Sequence, residues 1–141
     1  MRVSGLFGTI ALIVVSLIAA PSLAKDAQPG LFIKPGEAYV FRLQEGQPVD
    51  VRVSNGNEEL GDGELFVRVS HEMGTMMELR NGTSEQLNYQ AYLASDATKK
   101  GRRTSVCTLF PGAMARELWP ETLPGIRITN FGPANGKFGC F

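Results

Sequence analysis

The chain has 141 residues, 14 of them basic and 14 acidic, with one histidine and two cysteines. A formal net charge of zero excludes any general pull toward nucleic acid or an anionic membrane, so an electrostatic partner must be met by a local patch. The length fits one domain with one modest core.

Met1-Arg2-Val3 is a short basic start, Gly5 to Ala20 is almost wholly apolar, and Pro21-Ser22-Leu23-Ala24 ends on small residues. This layout predicts a cleaved secretory signal over residues 1–24, with a mature start at Lys25. A retained anchor is the alternative. The apolar run, about 16 residues, is short of the roughly 20 that a spanning helix needs. No cysteine lies near the cut, which argues against a lipoprotein. Export places the protein in a periplasmic or extracellular setting. There Cys107 and Cys140 are expected to form one disulfide, closing a loop worth roughly 3–4 kcal/mol in the chain-entropy account. The redox or metal alternative lacks a Cys-x-x-Cys spacing.

Residues 25–36 form an N-terminal arm with two Pro-Gly turn signals and a short strand at Leu31-Phe32-Ile33. From residue 37 to 141 period-2 alternation dominates and predicts a single β domain. Tyr39, Phe41 and Leu43 share a face. Val49, Val51 and Val53 share another, as do Leu65, Val67 and Val69, then Met77 and Leu79, then Leu87, Tyr89, Ala91 and Leu93. Glu45 to Pro48, Asn55 to Gly63, Asn81-Gly82-Thr83 and Ser95 to Gly101 are the breaks. Thr104 to Phe110 reads as a strand. Ala113 to Trp119 reads as one or two helical turns stopped by Pro120. Ile126 to Phe131 and Lys137 to Phe141 complete the strands. Seven or eight half-buried antiparallel strands, spaced by turns, predict a sandwich or barrel.

The stretch Met77-Glu78-Leu79-Arg80-Asn81-Gly82-Thr83, followed by Leu87-x-Tyr89-x-Ala91-x-Leu93, resembles immunoglobulin-like β-sandwiches exported by bacteria. The tail, with Cys107, Pro111-Gly112, Leu118-Trp119-Pro120, Ile126, Ile128, Phe131 and Cys140, is similar to small uncharacterised secreted proteins of Gram-negative bacteria. The resemblance implies an architecture and carries no activity. It departs from antibody domains in lacking a tryptophan between the two cysteines.

Four groups of residues are candidates for chemistry. His71, Met73, Met76 and Met77 join one imidazole to three thioethers, a set suited to copper. The competing role for Met77 is to fill the core. A second histidine four residues after His71, which a helical zinc-protease motif needs, is missing because residue 75 is threonine. Lys99, Lys100, Arg102 and Arg103 surround Gly101 and could meet lipid headgroups, lipopolysaccharide or an acidic partner; without interleaved aromatics they do not suit nucleic acid. The competing role is a solvated turn that guards the next strand. Trp119 is either cover for one end of the sandwich or the centre of a docking patch. Glu58, Glu59 and Asp62 match no calcium loop and read as a solvated turn.

These observations point to a single-domain, all-β, immunoglobulin-like sandwich with one disulfide, exported as a non-enzymatic binding or structural module. A protein partner in a cell-envelope assembly is expected, met by an edge strand or the Trp119 segment. No cofactor is expected in that reading. The alternative is a periplasmic copper-binding protein using the His71 cluster.

Overall fold

The computed structural model describes residues 28–141, so the signal expected over 1–24 and the start of the expected arm lie outside the described residues. Two antiparallel sheets face each other across a core of alternate side chains. The strands are β1 (Leu31–Ile33), β2 (Ala38–Gln44), β3 (Gln47–Val53), β4 (Leu65–Ser70), β5 (Thr75–Asn81), β6 (Leu87–Leu93), β7 (Arg102–Thr104), β8 (Met114–Trp119) and β9 (Ile126–Pro133). One sheet runs β1-β9-β6-β7 and the other β3-β2-β4-β5-β8. The sandwich is thus formed with nine strands rather than seven or eight. Among the described residues there is no helix.

The core follows the alternation. Phe41, Leu65, Val67, Val69, Met77 and Leu79 from the five-stranded sheet meet Leu87, Tyr89, Ala91, Ile126, Ile128 and Phe131 from the other. Glu45 and Gly46 form the two-residue link between β2 and β3, with φ of 51° and 75°. Positive φ at both positions matches the twist of a hairpin, and glycine takes it without strain.

Four expectations are corrected. Residues 113–119 do not turn into a helix. Ala115, Glu117 and Trp119 face inward while Met114, Arg116 and Leu118 face out, a period of two, and β8 pairs with β5 along its whole length. The Val49, Val51, Val53 face is broken by a bulge: Asp50 sits at φ 51°, and β3 spends one extra residue opposite Phe41. Val49 therefore lies opposite Arg42 and Val53 opposite Tyr39, on different faces, and Val53 at the sheet edge is 80% exposed. The strand expected at Thr104–Phe110 ends at Thr104, and beyond it only single bridges tie Leu109 to Leu87 and Cys107 to Cys140. The expected last strand at Lys137–Phe141 is likewise reduced to that Cys140 bridge.

Phe66, on the face of β4 opposite Leu65 and Val67, is also fully buried. The Arg80 guanidinium lies 3.9 Å from its ring centroid, and Arg80 Nη2 donates to the Gly56 carbonyl at 3.0 Å. The loop between β3 and β4 is held on this face by Arg42, which donates to the Asp62 carbonyl, and by Arg52, which pairs with Glu58 and Glu64. In the turn after β5, Asn81 is buried. Its side chain donates to the Glu85 carbonyl and accepts from Thr83, so this turn is a corner between sheets rather than a hairpin.

Candidate anion-binding groove on the four-stranded sheet

β6 and β9 lie side by side in the centre of the four-stranded sheet. Their core-facing residues are apolar, so strand alternation sends Asn88, Gln90 and Tyr92 of β6, with Arg127 and Thr129 of β9, to the outer face. A second bulge adds to this row. Asn130 takes φ 52°, which asparagine tolerates, and β9 carries an extra residue between the Gln90–Thr129 and Asn88–Gly132 pairs. That extra residue turns Asn130 outward beside Thr129 while Phe131 returns to the core.

Two adjoining hollows share Gln90 and Asn130. One, of about 290 Å³, is lined by Gln28, Tyr92, Lys100, Arg127 and Thr129 among others. The other, of about 530 Å³, is lined by Asn88, Arg103, Lys137 and Phe141 among others. Four cations line the combined groove, and no aspartate or glutamate side chain does. From Asn88 to Tyr92 the floor runs about 14 Å, four residues of extended strand.

The hydrogen bonds give the groove a polarity. Gln90 Oε1 accepts from Tyr92 Oη and from Asn130 Nδ2, each at 2.9 Å. Asn130 Oδ1 accepts from Gln47 Nε2 at 2.9 Å, and Asn88 Oδ1 accepts from Thr108 Oγ1 at 2.7 Å. The amide oxygens are thus spent inside the protein. The Gln90 amide donates no hydrogen bond among the described residues, so its two hydrogens remain for a ligand. With the charged donors, the surface is rich in donors and poor in acceptors.

Arg127 is the anchor. It is 3% exposed, and its Nη atoms donate to the carbonyls of Gln28, Ala97 and Lys99 at 3.3, 2.8 and 2.9 Å. Its Nε is buried with no hydrogen-bond partner, and it forms no ion pair among the described residues. Burial lowers its pKa from the ordinary guanidinium value, and the charge of Asp96 opposes that shift. A buried cation that meets carbonyl dipoles and the Phe32 ring, with the Asp96 charge acting on it without an ion pair, leaves positive potential in the groove.

The sequence candidates are distributed unevenly around this groove. Lys100 and Arg103 line it. Lys99 contributes its carbonyl to Arg127, and Arg102 is exposed one residue out of phase with Arg103 on β7. Gly101 shapes the loop: its φ is +84°, and a Cβ there would collide with the Leu93 carbonyl. Cys107 and Cys140 are bonded, which ties the tail carrying Lys137 and Phe141 to the segment after β7. Trp119 is 9% exposed and belongs to the core, so its ring covers the sandwich rather than presenting a docking patch.

The His71 cluster is split. His71 and Met73 are exposed at the tip between β4 and β5, where His71 Nδ1 lies 3.4 Å from the Gly74 carbonyl. Met77 is fully buried in the core, on the opposite face of β5 from Met76. Asn88, Gln90, Arg127, Asn130 and Lys137 form no motif in the sequence. The one local signal is the pair of amides at alternate positions of β6, Asn88 and Gln90. No family model, curated protein or solved structure matches the chain.

Proposed function

We propose that the chain is an exported, non-enzymatic binding module of the cell envelope whose working surface is the outer groove of the four-stranded sheet, and that its ligand carries oxyanions. Arg127 carries this reading, as a buried guanidinium with no ion pair among the described residues, in a groove that offers donors and cations. Guanidinium and amide hydrogens suit the lone pairs of phosphate or carboxylate. The disulfide supports the oxidising setting that export supplies. The test is a titration of isotope-labelled protein with inorganic phosphate. The side-chain amide signals of Gln90 and Asn130 are expected to move, and the Arg103→Ala/Lys137→Ala double variant is expected to weaken the response. Unmoved Gln90 and Asn130 signals would overturn the reading.

A protein partner is a second reading, favoured by the edge of the other sheet. β8 has a neighbour on one side only, and its outward Met114 and Leu118 are 47% and 56% exposed. A strand added along β8 would use its unpaired backbone groups. A photo-crosslinker at Arg116 in the exporting host tests this. One discrete product that Leu118→Lys abolishes is expected, and products unaltered by Leu118→Lys would count against it.

A further inference from the structure

The groove runs into an exposed aromatic cluster. Phe110, Phe138 and Phe141 are 43%, 51% and 52% exposed. The rings of Phe110 and Phe138 lie 5.6 Å apart, and Phe141 lines the groove together with Arg103 and Lys137. All three sit on the tail and on the segment it bridges, held by the Cys107–Cys140 bond and by paired backbone bonds between Val106 and Phe141. Exposed phenylalanines on a mobile tail would collapse onto the domain. Here a covalent staple keeps them outward beside a row of cations.

Resting on the oxyanion-groove reading, we propose that this end of the sandwich docks on an anionic phospholipid surface. The phenylalanines enter the headgroup–acyl boundary, and Arg103 and Lys137, which share their hollow with Phe141, meet lipid phosphates. Stable attachment to a membrane takes two signals, an apolar one and a basic one, because either alone is marginal. This end supplies both. The acid of the basic loop, Asp96, accepts from the Thr98 backbone N–H and hydroxyl at 2.8 and 2.6 Å, and the cations Lys99, Lys100, Arg102 and Arg103 outnumber its one charge. A soluble oxyanion would account for the cations but leave the three exposed rings without a role.

Flotation of the oxidised, exported protein with vesicles tests the proposal. One set holds phosphatidylglycerol and phosphatidylcholine in equal parts, and the other phosphatidylcholine alone. Binding to the anionic vesicles alone is expected, weakening with added salt. Arg103→Ala and Lys137→Ala should each reduce it about fivefold. Phe110→Ala/Phe138→Ala, two rings outside the groove lining, should reduce it while leaving the phosphate response of Gln90 intact. These side chains are exposed, and unchanged near-ultraviolet circular dichroism would show the variants folded. Equal binding to both vesicle types, or anionic binding indifferent to the phenylalanine changes, overturns the proposal. A phosphate response at Gln90 with no vesicle binding overturns the membrane source and leaves the oxyanion groove standing. Loss of both responses removes the groove as well.

Discussion

The Trp119 indole donates from Nε1 to Thr104 Oγ1 at 2.9 Å, and this bond joins β8 of one sheet to β7 of the other. The indole is also part of the core, so two effects separate by substitution. Trp119→Phe keeps most of the apolar volume and loses the bond, for an expected cost of about 1–2 kcal/mol. Trp119→Ala opens a cavity and is expected to cost about 3–5 kcal/mol. Urea denaturation with unchanged slopes measures both. Equal costs would mean that the bond, and not the packing, closes this end.

The disulfide is expected to stabilise the fold by about 3–4 kcal/mol, given the loop it closes. Its loss has a local consequence too. The tail then depends on the Val106–Phe141 backbone bonds, on Thr108, whose hydroxyl contacts the Gly139 backbone, and on Asn88, whose Nδ2 donates to the Lys137 carbonyl at 2.9 Å. Cys107→Ser/Cys140→Ser protein should unfold at lower denaturant. Its tail amides should exchange faster than those of β9, and its phosphate response at Gln90 should weaken as Lys137 leaves the groove wall. Uniformly faster exchange across all strands would refute a local role for the bond.

Glu64 gives the loop over the five-stranded sheet a pH dependence. The Gly61 N–H at 2.9 Å and the Arg52 guanidinium at 3.0 Å hold its carboxyl below the ordinary glutamate range. A depressed folded value favours folding while the group is ionised. The contribution is complete above the ordinary glutamate range and disappears as pH falls through the lowered folded value. Glu64→Gln is expected to flatten the fall of stability with acid in that window. Thermal midpoints of both proteins across it give the comparison, and parallel curves would refute it.

Strand faces were legible in the sequence wherever the chain kept strict alternation, as in Leu65–Val69 and Leu87–Leu93, because burial on one face writes directly into the residue pattern. The pattern misleads where one residue breaks the count. Asp50 inserts a residue at positive φ, which splits the Val49, Val51, Val53 face, and nothing local distinguishes such an insertion from a turn. Met114–Trp119 reads as a helical turn because its small and charged residues suit one equally well; pairing with β5, a contact distant in sequence, makes it a strand. The groove was half legible. Lys100 and Arg103 stood out as a charge cluster, whereas Arg127 sits between two isoleucines and acquires its meaning only from the three carbonyls brought to it.

Arg127 also organises the loop that presents the cations. Its guanidinium fork reaches Ala97 and Lys99 on that loop and Gln28 on the arm, three acceptors that one ammonium on a lysine stem cannot match in this geometry. Arg127→Met would leave these carbonyls unanswered by the sheet and is expected to cost about 2–4 kcal/mol. Arg127→Lys keeps the charge and should recover part of that stability. If Arg127 both fastens the loop and charges the groove, the two variants will differ in kind. Arg127→Lys should bind inorganic phosphate more weakly yet still shift Gln90, and Arg127→Met should lose that shift and speed amide exchange between Ala97 and Gly101. Retention of the full phosphate response in Arg127→Met would assign binding to Lys100, Arg103 and Lys137 alone and leave Arg127 a purely structural part.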